Sequence, residues 1–431
     1  MMELGIHVFR GALLAIAVAV GCQYAYRYTY LYAYEGPCIA DAESDSTVLT
    51  VFGTVDPCAA FSETYIEARS RFRQAAAEAG FELFSLEIFE NYTTDVAFLT
   101  GQSHEDTGMH TCNTTTGSCS QDLVVHTSGV HGIEGYAGSA IQIAFLKNFR
   151  ASNITGNNNN NNVPSLLLIH AVNPYGMAHY RRVNENNVDL NRNGIHDFSR
   201  VINRDPNIAG YDDFDHVFNP VKPFRFGVIA ALIQTLLQHR DALSKLKRAM
   251  VTGQYHKQNG IFYGGTHLEA SNQHIHDFCK HFIAKNGPFR KTTWVDVHTG
   301  LGRYGMDTIL QPSATATATM RRAVANIFNV SLVPGFTGGD DVHQGYDLMT
   351  GGTDDLMRPL FSSPNDWHVM QEFGTHSIIT VARALILENM VHNHFRTPSL
   401  LIRDAFYPRT PKWRRSILTR GLRVLKQAME R

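Results

Sequence analysis

The chain has 431 residues, 44% hydrophobic and 18% charged, a composition that buries a large core and excludes disordered and fibrous classes. With 38 Lys and Arg against 39 Asp and Glu, its formal charge is -1, so no global field draws nucleic acid or an anionic surface. The six cysteines form no CxxC pair, which argues against a zinc cage of thiolates, and the 21 histidines are informative only through their neighbours.

In chain order, Arg10 precedes GALLAIAVAVGC, an apolar run of twelve. It reads as a signal-peptide core or, extended by Leu4 to Phe9 and the tyrosine-rich QYAYRYTYLYAY, as a single membrane anchor, since a span takes about 20 apolar residues. Either form of residues 1–34 directs the chain to the secretory pathway, secreted or membrane-anchored. Residues 35–58, with Gly, Pro, Asp and Ser and little periodicity, read as a linker, and 59–431 as one folded domain. Sequons at Asn91, Asn113, Asn153 and Asn329 are acceptors only in such a compartment, where Cys112 and Cys119 are also able to close the loop NTTTGS between them.

Ser62 to Gly80 has helical apolar spacing and stops at a glycine. Short apolar runs at Leu123 to His126, Ser165 to Val172 and Thr293 to His298 predict buried strands, each leading into a polar or Gly-containing turn. Helices are predicted at Ala137 to Arg150 and Phe226 to Met250, and Asn157 to Asn162 is a low-complexity loop. Strands alternating with helices imply an α/β fold: a mixed, mostly parallel central sheet covered by helices on both faces. In such sheets functional residues gather at the carboxyl ends of strands.

Those ends carry the chemistry. DLVVHTSGVHGIEGYAG places His131 and Glu134 three residues apart in a glycine-rich turn, where Gly129, Gly132 and Gly135 permit tight backbone. Imidazole and carboxylate are zinc ligands, and a catalytic zinc takes three protein ligands. LLLIHAVNPYGMAHYRRVNENNVDLNRN carries Arg181, Arg182, Asn191 and Arg192, a density of guanidinium groups suited to carboxylate, or otherwise to loop salt bridges with Glu185 and Asp189. TTWVDVHTGLG ends a strand on His298, and DWHVMQEFGT ends an alternating run on Glu372.

HxxE after a strand, then NP, an Arg, VDLNRN, DVHTG and a late Glu make an order that resembles the zinc carboxypeptidase superfamily. SGVHGIEGYAGSAIQ, RRVNENNVDLNRN and VDVHTGLG are similar to one of its largely uncharacterised branches, over roughly Phe61 to Asn389. The resemblance implies a carboxypeptidase-like (phosphorylase/hydrolase-like) fold and a metallocarboxypeptidase-type hydrolase with one zinc ion on His131, Glu134 and His298. It makes Glu372 the general base acting on the zinc water and Arg182, rather than Arg181, the group that polarises the scissile carbonyl. Asn191 and Arg192 would hold the terminal carboxylate, and Asp189 would accept a hydrogen bond from a ligand histidine. The tyrosine preceding a Gly-Gly-Ser segment in known carboxypeptidases has its counterpart in Tyr346 of YDLMTGGTDD, with the spacing off. The implied substrate is a peptide; N-acyl amino acid deacylation uses the same pieces, and an inactive membrane-anchored binding module is the alternative outside enzymes.

Overall fold

The computed structural model describes residues 47–101, 122–149, 163–220, 242–312, 317–330, 350–361, 363–395 and 400–431. The leader, Cys112, Cys119, Asn113, Asn153, the asparagine run 157–162, Tyr346 and most of the helix expected from Phe226 to Met250 lie outside them; the described end of that stretch belongs to a helix Ala242–Thr252. Among the described residues no helix is long and apolar enough to cross a membrane.

Strands β1 (Val48–Thr50) and β2 (Gly53–Val55) form an antiparallel hairpin. Phe52 and Val55 join the main core, Phe52 edge-on to Phe145 at 5.2 Å, so part of the stretch read as a linker packs with the folded unit. Seven further strands build one sheet: β3 (Glu82–Phe89), β4 (Tyr92–Leu99), β5 (Leu123–Ser128), β6 (Ser165–His170), β7 (Thr292–Gly300), β8 (Asp307–Leu310) and β9 (Trp367–Gly374). Their order is β3-β4-β6-β5-β7-β9-β8. The four central strands, β6, β5, β7 and β9, are parallel, and the pairings at both margins are antiparallel. The mixed, mostly parallel sheet expected from the alternation is thus present, with its parallel part at the centre.

Every residue of β5, β6 and β7 is buried, as their near-continuous apolar runs require of strands covered on two faces. Along β6, Leu166 and Leu168 enter one core and Leu167 and Ile169 the other, the period-two alternation of a strand. The first core takes in α1 (Tyr65–Glu78), α2 (Gly135–Asn148) and, further along, α4 (Ile378–Phe395), α5 (Leu400–Phe406) and α6 (Pro411–Glu430); the second packs under α3 (Ala270–Asn286). α1 is capped by Thr64, whose side chain accepts from the Glu67 N–H, and ends before Gly80 at φ 79°, a left-handed position that glycine adopts without strain.

Candidate metal centre

β7 carries Trp294, Asp296 and His298 at alternate positions, so the three side chains share one face of the sheet. β9 lies beside it in parallel register, with His298 paired to Glu372. Cα partners on adjacent strands are about 5 Å apart and point the same way, which sets the Glu372 carboxylate beside the His298 ring. β5 ends one strand over, and the chain leaves it through Gly129 at φ 80° into His131 and a single 3-10 turn, Gly132–Glu134, that runs into α2. The turn is held from the other side: the Gly132 and Ile133 N–H groups donate to the carbonyls of Arg182 (3.2 Å) and Arg181 (2.9 Å).

These elements bring ligand atoms of His131, Glu134 and His298 within 4.8 Å of one another, all buried. His131 Nδ1 is 2.9 Å from Glu134 Oε1, His298 Nδ1 is 3.3 Å from Glu134 Oε2, and the two Nδ1 atoms are 3.2 Å apart. Tetrahedral zinc with bonds of about 2.0–2.1 Å spaces its ligand atoms about 3.3 Å apart, so the donor set and its spacing both fit that ion. On their far sides the rings meet carboxylates: His131 Nε2 to Asp189 Oδ1 at 3.1 Å and His298 Nε2 to Asp296 Oδ2 at 3.0 Å. A carboxylate accepts, so each ring carries a proton on Nε2, which leaves Nδ1 as the nitrogen available to a cation. Two such nitrogens and a carboxylate facing one another suit a cation between them. Burial opposes charge on His298, but Asp296 and Glu134 outweigh it and raise its pKa well above the ordinary imidazole value.

Burial also works against the Glu134 carboxylate, yet His131, His298 and Arg182 hold it below the usual carboxylate range. Its Oε2 accepts the Thr299 N–H at 2.8 Å. Glu372 is the opposite case. Burial and the charge of Glu134 push its carboxyl up to about 7, against His298 and the Leu301 N–H that donates to Oε1 at 2.8 Å, while one side of the residue keeps partial solvent access.

Of the adjacent arginines, Arg182 reaches the cluster, with Nη1 3.1 Å from Glu134 Oε1 and Nε 3.0 Å from Asp189 Oδ2. Arg181 turns into the core, its Nε 2.6 Å from Glu388 and its Nη2 2.8 Å from Asn187 Oδ1. Asp189 caps the 3-10 turn Leu190–Arg192 by accepting from the Asn191 N–H at 3.0 Å, which places Asn191 and Arg192 directly beyond it. The Gly-Gly segment noted in sequence packs on the same turn: Gly194 donates to the Gly351 carbonyl, and the Thr353 N–H to Asn191 Oδ1 at 3.3 Å. Tyr346 lies outside the described residues. Asp296 was not singled out from the sequence, although Asp-x-His on a strand puts both side chains on one face and signals the pairing.

Fold and cluster together define a mixed α/β protein with a buried His-Glu-His triad at the carboxyl ends of its parallel strands. The chain belongs to the family DUF2817, described as proteins of unknown function, whose model matches residues 61–420. No curated protein matches the sequence. Among solved structures it is similar to a candidate metallopeptidase from Shewanella amazonensis, at 12% identity and a TM-score of 0.38 over 78% of this chain and 94% of the other. It is also similar to a metallo-carboxypeptidase from Burkholderia cenocepacia (11% identity, TM-score 0.38, 84% and 67% covered). A third is the succinylglutamate desuccinylase from Chromobacterium violaceum (12% identity, TM-score 0.35, 82% and 72% covered).

Proposed function

We propose that this protein is a zinc-dependent hydrolase that cleaves an amide or peptide bond next to a free carboxylate, with His131, Glu134 and His298 holding the ion. The observation that supports the reading is the approach of those three donors to 2.9, 3.3 and 3.2 Å of one another, with Glu372 in register beside His298. A bound zinc ion supplies Lewis acidity, which polarises a carbonyl and lowers the pKa of water toward about 7. Glu372 takes the proton of the attacking water and returns it to the leaving amine, a role worth about a hundred- to ten-thousand-fold in rate. Arg182, beside Glu134, donates to the oxygen of the scissile carbonyl as charge develops there. Arg192 receives the substrate carboxylate through its guanidinium, with the Asn191 amide as second donor.

The test is metal and product analysis on purified protein. Stoichiometric zinc, with release of the C-terminal residue from short peptides, is the expected result; cleavage of N-acyl amino acids alone reassigns the chain as a deacylase. Glu372→Gln should keep its zinc and lose at least about a hundredfold in turnover. Wild-type turnover in that variant removes Glu372 from the reaction.

A further inference from the structure

Behind His298 runs a line of buried hydrogen bonds that the reaction itself does not use. The Trp294 Nε1–H lies 3.1 Å from Thr127 Oγ1, Thr127 Oγ1 lies 2.7 Å from Asp296 Oδ1, and Asp296 Oδ2 lies 3.0 Å from His298 Nε2. All four residues are at most 2% exposed, and Thr127 on β5 is the register partner of Asp296 on β7. Each direction in the line is forced. Indole nitrogen only donates, so Thr127 Oγ1 accepts there; an ionised carboxylate only accepts, so the single Thr127 hydroxyl proton goes to Asp296. The other oxygen of Asp296 then accepts a hydrogen bond from His298, which has to carry the proton on Nε2.

We propose that Thr127 and Trp294 are positioning residues of the metal site, acting through Asp296 to fix the His298 tautomer that presents Nδ1 to the ion. The inference rests on the reading of the triad as a metal site. It also divides the two histidines by how they are held. Asp189 behind His131 is held by Arg182 and a backbone N–H, and Arg182 belongs to the proposed substrate machinery. Asp296 behind His298 is held by the neutral hydroxyl of Thr127, itself backed by the Trp294 indole, and all three are buried in the sheet. His298 is therefore the fixed arm of the site, and its ordering does not depend on what is bound. Without the Thr127 hydroxyl, Asp296 loses its lock and Trp294 Nε1–H its acceptor, and the imidazole is free to rotate or to exchange tautomer. A proton on Nδ1 blocks the ligand position outright.

The experiment measures zinc affinity by competition with a chromophoric chelator on the full chain, with no substrate present. Thr127→Val, which keeps the shape and removes the hydroxyl, should weaken zinc binding by about ten- to a hundredfold, the usual effect of losing a carboxylate's grip on a ligand histidine. Thr127→Ser, which restores only the hydroxyl, should return affinity to near wild type, a rescue that a packing role for the methyl group does not produce. If the valine variant fails to fold, Trp294→Phe, which removes the outermost donor along with part of the buried ring, should weaken zinc binding by a smaller factor, read beside its urea midpoint so that the cavity cost is separated. Wild-type affinity in Thr127→Val, or in Trp294→Phe where that variant stands in for it, or equal loss in the serine and valine variants, overturns the inference while leaving the metal reading intact. A wild-type chain that binds no zinc overturns the metal reading and this inference with it.

Discussion

Arg181 puts its guanidinium on Glu388 inside the core, with the side chain 1% exposed, whereas Arg182, 13% exposed, lies between Glu134 and Asp189. Removing one member of a buried ion pair strands the other, at a cost of about 3–5 kcal/mol. Without Arg182, Glu134 and Asp189 keep the two histidines and the Thr299 and Asn191 N–H groups, whereas Glu388 loses the guanidinium that offsets its burial, so Arg181→Met should shift the urea midpoint more than Arg182→Met, while Arg182→Met should lose far more turnover. Denaturation curves and rates on the same preparations check both halves, and the reverse order would exchange the two roles. The resemblance points to Arg182, but the residues of RRVNENNVDLNRN do not by themselves separate it from Arg181, because adjacent arginines are chemically alike and only tertiary partners distinguish them. The triad was legible, since HxxE and DVHTG each sit at a strand end. Asp296 needed one more step, the period-two reading of Asp-x-His.

At the scale of elements, the site depends on a close approach between the 3-10 turn after β5 and the short helix Pro174–Ala178. A Cβ placed on Gly132 would lie 2.1 Å from the Gly176 carbonyl carbon and 2.2 Å from the Met177 nitrogen. Backbone cannot yield as a side-chain tip does. Gly132→Ala should move the turn that carries both His131 and Glu134, costing about 1–3 kcal/mol of stability and a larger share of zinc affinity. Chelator competition beside urea denaturation tests this; intact affinity would mean the turn carries the alanine without moving. β5, β6 and β7 were legible because strands buried on both faces read as apolar runs. The β3–β4 hairpin was not. β4 reads TTDVAF, with Asp95 fully buried, and that burial makes sense only with Arg69 and Arg73 of α1 beside it at 2.7 Å, partners no local pattern reveals. The helices α5 and α6 lie beyond the motif-bearing stretch, and α6 docks with Gly421 against Ile141 of α2, a fit set by shape.

For the molecule as a whole, the central sheet also sets a limit on acid stability that is independent of the metal. His126 on β5 and His170 on β6 have no solvent exposure; His126 meets Gln142, and His170 meets Ser139 and stacks on Phe72 at 4.5 Å. Burial lowers each pKa to about 4. In the unfolded chain each titrates near 6.5. Below that pH the unfolded state takes up protons that the folded state refuses, so stability falls as pH drops from about 6.5 toward 4 and this contribution levels off below. At 1.36 kcal/mol per pH unit, lowering the pH from 6.5 to 5 removes about 2 kcal/mol for each histidine. The measurement is urea unfolding at pH 7.5 and pH 5.0 with a chelator present, so that no metal contributes at either pH. His170→Gln, close in size and uncharged at both pH values, should lose about 2 kcal/mol less than wild type between them. Equal losses would mean that His170 is protonated in the folded chain at pH 5, and that the sheet tolerates a charge at a fully buried position.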